Sequence, residues 1–178
     1  MASELRVDRI IPVNGVPTGG GGGIVQVKRV DFSSTQSTST STTYVDSGLS
    51  IDFTPIRSDS KILVRATFGV LCSLSPSWNE VFAMFALREG STYLNETGVA
   101  SRYGTGSNAG RIQVPVVMEA FVDASSTNSR TYKVQGRVSQ SDYNFTIHPQ
   151  YVYADDSDKR PQSGSSMKSN ITVMEVSG

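Results

Sequence analysis

From Ile62 onward every second residue is apolar: Ile62, Val64, Ala66, Phe68 and Val70 fall on one face of an extended chain, and Arg65 and Thr67 on the other. Period two is the mark of a strand with one face in a core. The alternation recurs along the chain. Ile24, Val25, Val27, Val30 and Phe32 supply the apolar positions of a first strand over 24–32, and Leu49, Ile51 and Phe53 those of a second over 44–53, which Pro55 and the polar turn 57–60 stop. Ile112, Val114, Val116, Met118, Ala120 and Val122 predict a long half-buried strand, with Pro115 on the polar side, where a missing N–H requires an edge or a bulge. Tyr132, Val134, Gly136 and Val138 alternate with Lys133, Gln135 and Arg137 as its antiparallel neighbour. Residues 144–153 are β-prone and split by Pro149, and 171–176 form a closing strand.

One run breaks the alternation. Residues 81–87, VFAMFAL, are apolar on both faces, which predicts a central strand covered on its second face by another sheet or by a neighbouring subunit; a short helix is the minority reading. Between the strands, the Ser/Thr tract 33–43 reads as a loop in preference to an edge strand. Residues 73–80, 125–129 and 155–166 read as turns or loops, and so does 95–110 with its spaced glycines. No helix-length amphipathic pattern is present. Roughly eight strands separated by turn signals predict an all-β protein, an antiparallel β-sandwich with the jelly roll as its favoured form.

Ahead of this body the pattern differs. Residues 1–18 hold a short apolar set, Leu5, Val7, Ile10, Ile11 and Val13, too small to form a core of its own and therefore in need of another surface. Five glycines, Gly19–Gly23, join it to the rest and span about 12 Å as a flexible coil. They can serve as a mobile leash or let three backbones approach closely at a threefold axis. The organisation is thus an attachment segment, 1–18, a glycine linker, 19–23, and a β-sandwich domain, 24–178.

Composition narrows the partners. The 178 residues suit one core, and a formal net charge of zero gives no field that would draw the chain to nucleic acid or an anionic membrane. Charged residues are 18%, below the roughly 25% of ordinary domains, so serine and threonine coat much of the surface. No signal-peptide-like or membrane-spanning run is present, and neither secretion nor membrane insertion is expected. The three Asn-X-Thr sequons at Asn95, Asn144 and Asn170 then read as chance matches. Cys72, the single cysteine, ends an apolar alternating run and reads as a small buried hydrophobe.

Candidate chemistry is sparse. His148 is the only histidine and has no Ser, Cys or metal-spaced partner motif. Asp155, Asp156 and Asp158 lack the glycine turn and terminal glutamate of an EF-hand, and Lys159 and Arg160 offset their charge. The glycine run lacks the Lys-Ser/Thr of a phosphate loop. No enzyme activity, cofactor or metal is expected. Carbohydrate binding has candidate receptor-facing rings in Trp78, Tyr103, Tyr151 and Tyr153, although such rings in a β protein more often fill cores or interfaces.

The opening Ser3-Glu4-Leu5-Arg6-Val7-Asp8-Arg9-Ile10-Ile11-Pro12, the Gly15-Val16-Pro17-Thr18 turn, Tyr44-Val45-Asp46, Ser60-Lys61-Ile62-Leu63-Val64 and the closing Ile171-Thr172-Val173-Met174-Glu175-Val176 together resemble tail-fibre-like virion proteins of bacteriophages, especially short-tailed marine cyanophages. The resemblance implies a structural component of the particle. Its opening segment would dock on other virion proteins, with the β domain displayed outward as a homotrimer. It also implies a place on the tail or particle surface after assembly in the host cytoplasm, and a host-surface glycan as a further partner. A long shaft is missing, which leaves a short tail fibre, a tail-tip or adaptor piece, or a capsid decoration protein (head fibre or knob). A lectin-like receptor-binding module is the alternative, and a hydrolase the least favoured.

Overall fold

The computed structural model describes residues 23–32, 37–73, 80–102, 111–141, 143–147 and 168–177. Among them are ten strands and no helix: β1 (Ile24–Asp31), β2 (Ser37–Ser39), β3 (Val45–Phe53), β4 (Lys61–Ser73), β5 (Glu80–Glu89), β6 (Thr92–Arg102), β7 (Arg111–Asp123), β8 (Arg130–Val138), β9 (Asn144–Ile147) and β10 (Asn170–Val176). The pairing is nested. β1 pairs with β10, β3 with β8, β4 with β7 and β5 with β6, all antiparallel, so the eight long strands amount to one long hairpin rolled up on itself. Two further pairings, β10 with β4 and β8 with β5, fasten the roll into sheets ordered β1-β10-β4-β7 and β3-β8-β5-β6. This is the jelly roll favoured from the sequence. β9 and β2 extend the first sheet beside the far half of β4.

The alternating positions meet between the sheets as expected. Ile62, Val64, Ala66, Phe68 and Val70 of β4 are buried against Leu49, Ile51 and Phe53 of β3 and Tyr132, Val134 and Val138 of β8 within one hydrophobic cluster. Phe85 of β5 joins the two sheets. It meets Phe68 and Phe145 of the opposite sheet edge to face, with both centroid separations 5.4 Å, the arrangement that aligns ring edges with ring faces. Cys72 is fully buried, and burial pushes its thiol up to about 12, so it behaves as a small hydrophobe. Pro115 lies opposite Gly69 on β7, whose pairing among the described residues is with β4 alone, so the proline's missing donor falls on the edge side.

Four expectations change. β8 is not the neighbour of β7: it lies in the opposite sheet, paired with β3 and β5, because the nested roll sends consecutive strands to alternate sheets there. Residues 92–102 are the strand β6 rather than part of a loop: this strand lies at the sheet's rim, where Leu94 and Val99 pack on the core and polar residues take the open side, so its alternation is faint. Ser37–Ser39 of the Ser/Thr tract forms the short strand β2 against β9. The apolar residues of β1 do not line the core. Ile24, Val27 and Val30 are exposed, and the positions level with the core residues Val173 and Glu175 of β10 hold Lys28 and Gln26. Both are used as hydrogen-bond donors, Lys28 to the Asp52 carbonyl at 2.7 Å and Gln26 to Glu175 at 2.6 Å. The doubly apolar β5 is an inner strand, as expected. Its second face is covered in part from within the chain, by Phe82 seated over Gly98 of β6 and by the cluster above Ala86 described next.

Candidate functional site

Across the outer face of the β3-β8-β5-β6 sheet, register aligns Asp46, Gln135, Ala86 and Glu96 in one row. Ala86 faces outward yet has no exposed surface, so the side chains around it form a roof. Two irregularities in the ladder shape that roof. The β5–β6 register shifts at Leu87/Arg88 and brings Arg88 level with Tyr93, and the β3–β8 register shifts between Asp46 and Ser50. Such bulges turn side chains away from the regular pleat and concentrate beside functional sites. At the second one Gly48 takes a φ of +82°, which glycine adopts without strain, and Ser47 fills the broken ladder by donating to the Val134 carbonyl at 2.7 Å.

The result is an open groove of about 490 Å³, lined by Tyr44, Arg88, Tyr93, Glu96, Gln135 and Arg137, with Thr42 and Thr43 on its rim. The Arg88 guanidinium lies 3.6 Å from the Tyr93 ring centroid and 5.4 Å from that of Tyr44, and Arg137 lies 5.2 Å from Tyr44. The two rings meet edge to face at 5.8 Å. These contacts are cation–π attractions that fix the guanidinium planes. The Tyr44 hydroxyl donates to the Glu96 carboxylate; burial first, then this bond, raises its pKa against the opposing pull of Arg137, so it stays a donor at neutral pH. Gln135 donates from Nε2 to Asp46 at 2.6 Å, and that bond, then Lys133, holds the Asp46 carboxyl below its usual range.

Among the described residues, two polar atoms of this groove are buried and unmatched: Nε of Arg88, a donor, and Oε1 of Gln135, an acceptor. A water-shielded polar group without a partner is costly, and functional sites are where such groups persist. The arrangement offers aromatic surface, fixed guanidinium donors and an amide acceptor, a set for holding a small polar ligand by stacking and hydrogen bonds. Among the described residues no group of three or more His, Cys, Asp or Glu is placed to hold a metal ion, and no helix is long and apolar enough to cross a membrane.

Leu5, Val7, Ile10, Ile11 and Val13, the rings Trp78, Tyr103, Tyr151 and Tyr153, His148 and the carboxylates 155–158 all lie outside the described residues. Gly23 is described, and pairs with Ser177 by two hydrogen bonds, one in which the Ser177 N–H donates to the Gly23 carbonyl at 2.9 Å.

A second surface faces outward on the other sheet. Register places Phe121, Leu63, Met174 and Val27 in a row across four strands, with Ile24 and Val176 paired beside it. Phe121, Val27 and Ile24 are 61%, 54% and 63% exposed, unusual for large apolar side chains gathered in one place. Charges bracket the row in balanced pairs, Lys61 with Asp123 and Arg65 with Glu119.

No family model matches this chain, and no curated protein does. Among solved structures, the infectious bursal disease virus Gx strain aligns with 85% of this chain at 12% identity and a TM-score of 0.29, and that virus's VP2 subviral particle with 85% at 11% identity and a TM-score of 0.34. This chain spans 40% and 41% of the respective matched chains. At these TM-scores the likeness assigns neither topology nor role; the sandwich class stands on the chain's own nested pairing.

Proposed function

We propose that this chain is a non-enzymatic structural protein of a phage particle, of tail-fibre or tail-tip type, attached through residues 1–18 and displaying the jelly roll outward as a homotrimer. Jelly rolls serve many ends, so the fold does not carry the reading. The layout does: a rolled β body opens at Gly23, directly after a glycine run and a short apolar segment that cannot bury itself. The virion motifs noted in the sequence point the same way. Capsid decoration is the second reading.

Removing residues 1–22, which keeps Gly23 and its bonds to Ser177, is expected to leave the β body folded by circular dichroism but absent from purified particles; normal incorporation of the truncated chain would reject attachment through this segment. Association draws support from the Phe121–Leu63–Met174–Val27 row, because its flanking charges are already paired and a chain of zero net charge does not repel its copies. Sedimentation of the full chain is expected to show a trimer that Val27→Ser/Phe121→Ser shifts toward monomer. A wild-type monomer at micromolar concentration would overturn that part.

A further inference from the structure

We propose that the Tyr44–Arg88–Tyr93 groove is a binding site for a carboxylated saccharide, a pyranose of the uronic-acid kind. The proposal deepens the reading of a displayed virion protein by naming what the displayed face would meet, and it stands on the unmatched atoms described above.

Gln135 is 9% exposed, and its orientation is fixed chemically. Asp46 can only accept, so the amide nitrogen must face it and Oε1 must face away, toward a donor that no described residue supplies. A ligand hydroxyl would meet this need. Arg88 presents the opposite demand. Its guanidinium carbon lies 3.6 Å from the Tyr93 ring centroid, too close for an N–H to point into the ring, so its donors are left to project sideways, and its Nε–H is buried without an acceptor among the described residues. The Nε–H and a neighbouring Nη–H form the fork that takes a carboxylate through two parallel bonds. Among the described residues no carboxylate pairs with Arg88, whereas Glu96 is engaged by Tyr44 and Asp46 by Gln135 and Lys133.

The occupant must therefore bring a hydroxyl and an anionic acceptor together, with a body that tolerates aromatic contact. Tyr93, 51% exposed, offers that contact, and the groove is large enough for one sugar unit. A neutral sugar would leave the Arg88 fork half used. A bare carboxylate would leave Gln135 unmatched.

Titration of the full chain with D-glucuronate, D-glucose and acetate, followed by ligand-observed NMR and calorimetry, tests this. Glucuronate is expected to bind saturably with a Kd on the order of 1 mM, and glucose and acetate about tenfold more weakly. Arg88→Lys, which keeps the charge but loses the planar fork, is expected to weaken glucuronate about tenfold, and Gln135→Met to do likewise. Equal affinity for all three probes, no saturable binding of glucuronate, or an unchanged affinity in Arg88→Lys would overturn the proposal. Should Gln135→Met unfold, the Arg88→Lys arm decides. The chain lacking residues 1–22 is expected to bind glucuronate as the full chain does, which keeps this outcome separate from that of particle attachment.

Discussion

Glu175→Ala is expected to cost about 2–5 kcal/mol of stability, because it strands buried donors at about 1–3 kcal/mol each. Glu175 has no exposed surface, although it sits in the closing strand β10 at a position level with Ile62 of β4. Its carboxylate accepts four hydrogen bonds: from Gln26 at 2.6 Å, the Ile56 N–H at 2.8 Å, the Arg57 N–H at 2.9 Å and the Ser60 hydroxyl at 2.7 Å. One side chain thus ties β10 to β1 and to the loop between β3 and β4. Alanine would leave two backbone donors of that loop without an acceptor, and Glu175→Gln, whose amide turns a donor toward them, is expected to lose about half as much. The pH dependence follows from the same bonds. Burial alone would raise this carboxyl, but the four donors outweigh it and hold the group below its usual range near 4.5. The unfolded chain then has the higher pKa, so the contribution is complete above that range and is lost as the pH falls through the folded value. Denaturant melts of wild type and Glu175→Gln should therefore differ most at neutral pH and converge in acid; a constant gap would contradict the network.

Gly136→Ala is expected to cost about 2–3 kcal/mol by overpacking. A Cβ at this inward position of β8 would lie 2.6 Å and 2.9 Å from two atoms of the Phe145 ring and 3.1 Å from the Phe85 ring. Both rings belong to the edge-to-face trio that joins the sheets, so neither can withdraw without opening a void elsewhere. Phe145→Leu should relieve the overlap, making the double variant less destabilised than the sum of the two single ones. Additive losses, measured by chemical denaturation, would show that the glycine is not fixed by these rings.

Much of the roll was legible because strands with one face in the core announce themselves by period two. β3, β4, β7, β8 and β10 carry that signal, and Pro115 signalled an edge or a bulge, of which the structure shows the edge. β6 did not, since a rim strand that alternates Thr, Asn, Glu and Gly with a few half-buried residues resembles a loop when read alone. β1 was legible as a strand but not in its facing: Val27 takes the outward register, and polar Gln26 and Lys28 share the inward one with Val30 because Glu175 and the Asp52 carbonyl await them. The groove was hidden for a different reason. Arg88, Tyr93, Gln135 and Arg137 come from three strands, and two register shifts bring them together with Tyr44. In sequence, Gln135 and Arg137 are merely the polar side of an alternating strand. Arg88 at the end of a doubly apolar run was the available hint.

Electron microscopy of intact particles would locate the chain and show whether a phage particle carries the jelly roll by its opening segment. Symmetric projecting density is expected at the tail or particle surface, accommodating the β1-β10-β4-β7 and β3-β8-β5-β6 sheets with the Gly23 end toward the particle. Absence of the chain from purified particles, or density with the Gly23 end pointing away, would contradict it.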